Sequence, residues 1–287
     1  MPVFDLRFIN VSRKDISLDK IHEFIKDGST KRIRFATSHK NSLHRVEGAG
    51  PAGWLNVPFK DSILPIMKIA IDSSFMLFER ETQYGKSCYR RIDSEKEYTS
   101  IEKFIEEYRE VVFLRDLLDL SIALSMNFED NDDYSEIGKL EYEAKYQGSE
   151  EAESKLIDIC KEHINKLPYY KKVDYICAMP CSNIKQKSLP RRVVDALDGF
   201  ENISDDIYWQ SKTKSLKDAE TIEEKLPILE ESNLTIDRNL EGKAVFLFDD
   251  LYMSGLSMQY VAMKLKEAGA KWVFGLCLVK SRNNTTR

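Results

Sequence analysis

Residues Ala244 to Val279 read AVFLFDDLYMSGLSMQYVAMKLKEAGAKWVFGLCLV, and this stretch limits the fold more than any other. AVFLF is a short apolar run bounded by acids, the pattern of a buried strand. The segment after it is amphipathic, with Met258, Val261, Ala262, Leu265 and Ala268 on one helical face and Gly269 placed as a C-cap. KWVFGLCLVK is a second apolar run. Upstream, Leu156, Ile157, Ile159 and Cys160 recur at helical spacing before VDYICAMP, a short strand ended by Pro180, and PRRVVDALDGF reads as the next helix. Strand, helix, strand, helix, strand predicts an α/β fold whose parallel strands are joined by right-handed crossovers. Ligands in such sheets lie at the carboxyl ends of the strands.

That position is where Asp249 and Asp250 fall, followed at once by Ser254, Gly255 and Ser257. Backbone N–H groups at a strand-to-helix turn, helped by the helix N-terminus, cradle an anion, and a glycine lets the chain approach it closely. Carboxylates beside that cradle would repel a phosphate but suit ribose hydroxyls or the outer shell of Mg2+. The arrangement therefore fits a sugar phosphate. No GxxxxGK or GxGxxG segment follows a strand, which disfavours P-loop and dinucleotide readings. The bland alternative is a solvated turn.

Bulk properties narrow the classes further. With 287 residues the chain has room for one large domain or two ordinary ones. A net charge of -5 argues against a protein that simply coats nucleic acid, though it allows a local basic patch. The five cysteines are odd in number and scattered, which suits reduced thiols, and no metal-ligand spacing is present. The N-terminus lacks a signal-like segment and no apolar run reaches membrane-spanning length, so a cytoplasmic protein is expected.

The first third mixes β-type runs (VFDLRFINV, RIRFAT, SSFMLFER) with turn clusters. Within KRIRFATSHKNSLHR, His39 and His44 lie among basic residues that suit contact with phosphate or a solvated loop. Thr99 with Glu102 forms a capping-box pattern, and Ile101, Phe104, Ile105, Tyr108, Val111 and Val112 predict a long helix, or two in tandem, running to about Met126. The acidic turn cluster NFEDNDDYSE then predicts a boundary between an N-terminal α+β region, 1–130, and a C-terminal domain, 131–287.

AVFLFDDLYMSGLS resembles the phosphoribosyl-diphosphate segment of type I phosphoribosyltransferases: a hydrophobic strand, two acids, two variable positions, hydroxyl residues and a glycine. IGKLEYEAKYQGSEEAESKL, Ile137 to Leu156, is similar to the opening of the phosphoribosyltransferase domain in ComF-type proteins, where a Lys-Tyr pair precedes a glycine and a helix. The long stretch from Asp206 to Lys243 resembles the flexible segment before the ComF acidic strand, so the likeness covers about residues 137–280.

The resemblance implies a type I phosphoribosyltransferase-like parallel sheet flanked by helices, with a distinct N-terminal α+β region. It further implies that Asp249 and Asp250 hold the ribose hydroxyls. Tyr252, Met253, Ser254, Gly255, Leu256 and Ser257 would form the 5-phosphate loop, and Met179, Pro180, Cys181 and Ser182 the diphosphate loop. Lys212, Lys214 and Lys217 would close over the leaving diphosphate. Mg2+ would be bound through diphosphate and sugar, reaching Asp249 and Asp250 at most through water. The implied partners are phosphoribosyl diphosphate and a base or nucleotide-like acceptor, with a homodimer as the common assembly and no membrane. The N-terminal region is left to a protein or nucleic-acid partner.

The chain departs from the pattern at Met253, which stands where a hydroxyl residue is expected. A charge-assisted bond lost there is worth about 1.5–3 kcal/mol. The ComF N-terminal zinc module is also missing. Two readings stay open: a transferase that releases diphosphate, and a non-catalytic module that senses a ribose phosphate.

Overall fold

The computed structural model of the chain describes residues 13–26, 34–36, 42–46, 53–83, 85–129, 132–181, 187–210, 219 and 221–282. In chain order the elements are α1 (Leu18–Lys26), β1 (Arg34–Ala36), β2 (Leu43–Arg45), β3 (Gly53–Val57), α2 (Ile63–Ala70), β4 (Phe78–Thr82), β5 (Gly85–Ile92), α3 (Glu95–Glu107), β6 (Val112–Leu114) and β7 (Leu120–Met126). There follow α4 (Glu136–Tyr142), a π-helical turn (Glu143–Gln147), α5 (Glu150–Lys166), α6 (Pro168–Lys171), β8 (Tyr175–Ala178), α7 (Leu189–Asp195) and β9 (Glu201–Asn202). The chain ends with β10 (Ile207–Trp209), α8 (Ile222–Glu231), β11 (Leu234–Ile236), β12 (Ala244–Tyr252), α9 (Leu256–Glu267) and β13 (Trp272–Lys280).

The main sheet has the order β1-β6-β7-β13-β12-β8-β9. Strands β7, β13, β12, β8 and β9 pair in parallel, and β6 and β1 extend the β7 edge antiparallel. This is the mixed α/β architecture that the strand-helix rhythm predicts. Period-two alternation builds a separate core on each face. Phe246 and Phe248 of β12 join α2 to α7, while Val245 and Leu247 join α1, α8 and α9. A four-stranded antiparallel sheet, β2-β3-β5-β4, backs onto the first of these cores through Leu55, Val57, Cys88 and Ile92.

Two expectations for the N-terminal half are corrected. The long helix does not run to Met126, because α3 starts earlier, capped by Ser94, whose hydroxyl accepts from the Glu97 N–H at 3.2 Å, and stops at Glu107. LSIALSM is instead an interior strand, buried on both faces and paired with β13, and strands of that kind read as unbroken apolar runs without a helical period. The expected boundary at residue 130 falls inside one sheet: β7 lies before it and its partner β13 after it. The N-terminal region therefore does not end in a helix, and it supplies three strands to the sheet that carries the acids. Within the acidic cluster, Phe128 and Tyr134 form an antiparallel bridge, while Asp130 and Asn131 lie outside the described residues.

The same connection positions the next helix. Ser135 caps α4, accepting from the Gly138 N–H at 2.9 Å while its hydroxyl donates to the Met126 carbonyl. Gly138 has no room for a side chain, since a Cβ would lie 2.2 Å from the Asn127 carbonyl oxygen. Helix α4 is thus clamped to the carboxyl end of β7, and the π-helical turn continues directly from it.

Candidate active site

The acids lie within β12 and not on a turn after it, since the strand continues through Leu251 and Tyr252. Strand alternation answers why two like charges can stand side by side: successive side chains leave on opposite faces. Asp250 points to the face of α4 and the π turn, where Lys145 Nζ lies 2.9 Å from its Oδ2. Asp249 follows Val245 and Leu247 toward the other face, beside Cys277, its cross-strand partner.

Lys145 is also 3.2 Å from Glu141 Oε1, a buried oxygen without a well-aligned hydrogen bond. The Lys145, Asp250 and Glu141 side chains are only 27, 13 and 9% exposed. Burial opposes the Lys145 charge, but the carboxylates of Asp250 and Glu141 outweigh it and hold the ammonium above the ordinary lysine range. Burial raises Glu141 in turn, against the pull of Lys145. Asp249 reaches solvent with part of its surface, yet burial first and the Asp250 charge second push its carboxyl well above the usual range. The cluster gathers carboxyl oxygens around a single ammonium, and oxygens of this kind suit a hydroxyl-rich ligand.

The π turn sets the position of Lys145. It widens the helix by one residue, ends at Gly148 with φ 67°, and passes to α5 through Ser149, whose hydroxyl accepts from Ala152 N–H. Turns of this type collect at functional sites. Arg192 braces it by donating to the Ala144 carbonyl and to Glu153.

The expected phosphate loop is a turn at residues 253–255 followed by α9. Gly255 is the N-cap, with φ 75°. The closest demand on it comes from within the protein, since a Cβ would lie 2.0 Å from Tyr252 Oη. The sequence pattern assigns this glycine to phosphate approach alone; the ring packed beneath the turn also requires it. Ser254 is buried and accepts from Leu256 N–H at 3.4 Å, and Met253 and Ser257 are half-buried. The Tyr252 carbonyl accepts from Ser281 N–H at 2.8 Å, which ties the end of β12 to the segment after β13.

Tyr252 leads to a group that sequence reasoning missed. Its hydroxyl donates to Asp116 Oδ2 at 2.9 Å, and Ser121 donates to the same oxygen at 2.6 Å. Burial raises the Asp116 carboxyl, and burial with the Asp116 charge raises the Tyr252 phenol. Lys14 donates to the Asp116 carbonyl, so the N-terminal segment holds the loop from behind. The available signal was two acids, Asp116 and Asp119, inside the otherwise apolar run DLLDLSIALS.

Of the expected diphosphate loop, Met179 donates its N–H to the Phe248 carbonyl at 2.7 Å, so that donor is spent within the sheet. The Pro180 carbonyl accepts from Trp209 Nε1 at 3.0 Å, and Cys181 is exposed. The other four cysteines are buried and no disulfide forms. Ser182, Lys212, Lys214, Lys217 and His39 lie outside the described residues.

A row of rings runs up to the acids. Phe128 stacks on Tyr134 at 4.5 Å between centroids, Tyr134 meets Tyr142 at 5.4 Å, and Tyr142 meets Tyr146 at 5.3 Å. Tyr146 is 64% exposed, with Lys145 Nζ 5.5 Å from its centroid. Among the described residues no group of three His, Cys, Asp or Glu side chains is arranged to hold a metal ion, and no helix is long and apolar enough to cross a membrane.

No family model matches the chain, and no curated protein matches it. Among solved structures it is similar to a hypoxanthine phosphoribosyltransferase from Staphylococcus aureus, at 13% identity and a TM-score of 0.29, over 45% of this chain and 64% of that one. It is also similar to a hypoxanthine-guanine phosphoribosyltransferase from Bacillus anthracis with HEPES in the active site, at 12% identity and a TM-score of 0.29, over 45% of this chain and 68% of that one. A hypoxanthine phosphoribosyl transferase from Trypanosoma cruzi gives 13% identity and a TM-score of 0.28, over 46% and 66% of the two chains. The chain thus spans about two thirds of the length of the enzymes it resembles.

Proposed function

We propose that the chain binds phosphoribosyl diphosphate at the carboxyl end of β12 and transfers the phosphoribosyl group to a base-like acceptor, releasing diphosphate. The observation that carries this reading is the contact of Lys145 with Asp250. The Lys-Tyr segment and the acidic strand resemble the same family from stretches about a hundred residues apart, and they meet at 2.9 Å.

In this reading Asp250, its carboxylate fixed by Lys145, accepts from a ribose hydroxyl, and Asp249, on the other face of β12, accepts from the Asp250 N–H at 2.9 Å and steadies that part of the strand. Ser254, Ser257 and the N–H groups of the turn receive the 5-phosphate. A ring nitrogen of the acceptor attacks C1 with its lone pair as the bond from C1 to the diphosphate oxygen breaks; the diphosphate leaves with the electron pair, and the acceptor's ring proton is released to solvent. Positive charge gathers on the sugar in between, and the Asp250 carboxylate beside it stabilises it. Hard oxygen donors suit Mg2+, which in this reading is held mainly by the ligand's phosphates. When bound there, Mg2+ supplies charge neutralisation to the leaving diphosphate. Tyr146, at the open end of the aromatic row, offers a planar face to the acceptor.

A diphosphate-release assay with a panel of bases tests the reading, comparing wild type with Asp249→Asn/Asp250→Asn. Release that needs both acids is the expected result. Phosphoribosyl-diphosphate binding that needs both acids but yields no diphosphate with any base refutes transfer and leaves the sensing module, the reading that Met253 favours.

A further inference from the structure

We propose that the outer face of the β2-β3-β5-β4 sheet binds single-stranded nucleic acid, with bases stacking on Trp54 and Phe78 and phosphate held by Arg80. The inference uses no residue of the carboxylate site, so either can fail without the other.

Register decides which side chains share the face. His44 lies opposite Trp54, Asn56 opposite Tyr89, Tyr89 opposite Phe78, and Arg80 opposite Ser87. A solvated antiparallel face is ordinarily polar. Here Trp54 and Tyr89 are 5.7 Å apart between centroids, Tyr89 and Phe78 are 6.0 Å apart, and Phe78 is 50% exposed. These rings are not needed to cover the core, which the opposite face fills with Leu55, Val57, Cys88 and Ile92.

Arg80 is held across the rings. Its guanidinium carbon lies 5.3 Å from the Tyr89 centroid, and its nitrogens donate to Asn56 Oδ1 at 2.7 Å and Ser87 Oγ at 3.4 Å. With His44, Trp54 and Asn56 it lines a cavity of about 270 Å3, below the usual range for whole small-molecule sites and suited to one base. Charge selects the occupant. Glu79 and Glu81 alternate to the opposite face, where Glu79 pairs with Lys60 at 2.7 Å. Asp93, which follows β5, is taken up by Arg91 at 2.8 Å. A basic, aromatic face on a chain of net charge -5 is a local feature, not a reflection of the composition. Rings with a cation among them bind unpaired bases, whereas a duplex offers no free base faces. The span of three rings exceeds one base, which favours an oligomer over a free nucleotide.

Fluorescence anisotropy of labelled oligouridine and oligothymidine, about twelve nucleotides long, tests this with the full chain at low salt. Trp54→Ala and Phe78→Ala are each expected to weaken binding between about fivefold and a hundredfold. Arg80→Gln should weaken binding and flatten the salt dependence by about one unit of logarithmic slope. Circular dichroism melts confirm that the variants are folded. Absence of binding, dissociation constants unchanged in folded variants, or equally effective competition by polyglutamate, which carries charge without bases, would each overturn the proposal. Uridine monophosphate competing as well as the oligomer would also overturn it.

Discussion

Lys145→Met removes one charge from the carboxylate cluster and keeps the apolar stem. Wild-type Lys145 faces Asp250 at 2.9 Å and Glu141 at 3.2 Å, with 27% of its side chain exposed. Removing one partner of a fully buried pair costs about 3–5 kcal/mol, and an exposed pair about 0–1 kcal/mol. This pair lies nearer the buried limit, so a loss of about 2–3 kcal/mol is expected near pH 8.5, or a fall in Tm of about 3–5 °C for a chain of this size. The pH dependence separates this cause from lost packing. Glu141 is already raised by burial, and without Lys145 it rises further. A carboxyl raised above its unfolded value binds protons preferentially in the folded state, so stability falls as pH climbs from the unfolded value, about 4.3, through the raised one. The deficit of Lys145→Met against wild type should therefore be larger at about pH 8.5 than at about pH 6. Thermal melts of both proteins at the two pH values measure it, with Lys145→Arg as the charge-retaining control. An equal deficit at both pH values, or none, would refute the argument that Lys145 serves as counter-charge to buried carboxylates.

Gly255→Ala places a Cβ 2.0 Å from Tyr252 Oη at a φ of 75°. Left-handed strain of about 1–2 kcal/mol and the loss of the Tyr252–Asp116 bond, about 1–3 kcal/mol, sum to about 2–5 kcal/mol in chemical denaturation, with weaker phosphoribosyl-diphosphate binding by calorimetry. Tyr146→Ala, at a 64% exposed ring, should leave stability within about 0.5 kcal/mol and raise the acceptor KM while sparing kcat.

Much of the second half was legible because its signals are local. The β12-α9-β13 unit follows from two apolar runs, one amphipathic period and Gly269, whose φ is 103°. The acid pair and the glycine turn were readable for the same reason. The N-terminal half misled because an interior strand and a buried helix look alike as apolar runs, and LSIALSM declared its state only by pairing with β13.

By itself the sequence determined the acids of β12, the small residues after them and the Lys-Tyr segment. Tertiary structure alone decided that Lys145 meets Asp250, that Asp116 holds Tyr252 under Gly255, and that β6 and β7 belong to the sheet. The physical reason is range. Propensity, capping and alternation act over a few residues of chain, while these contacts join positions 105 or more residues apart and form only when both cores close around the sheet.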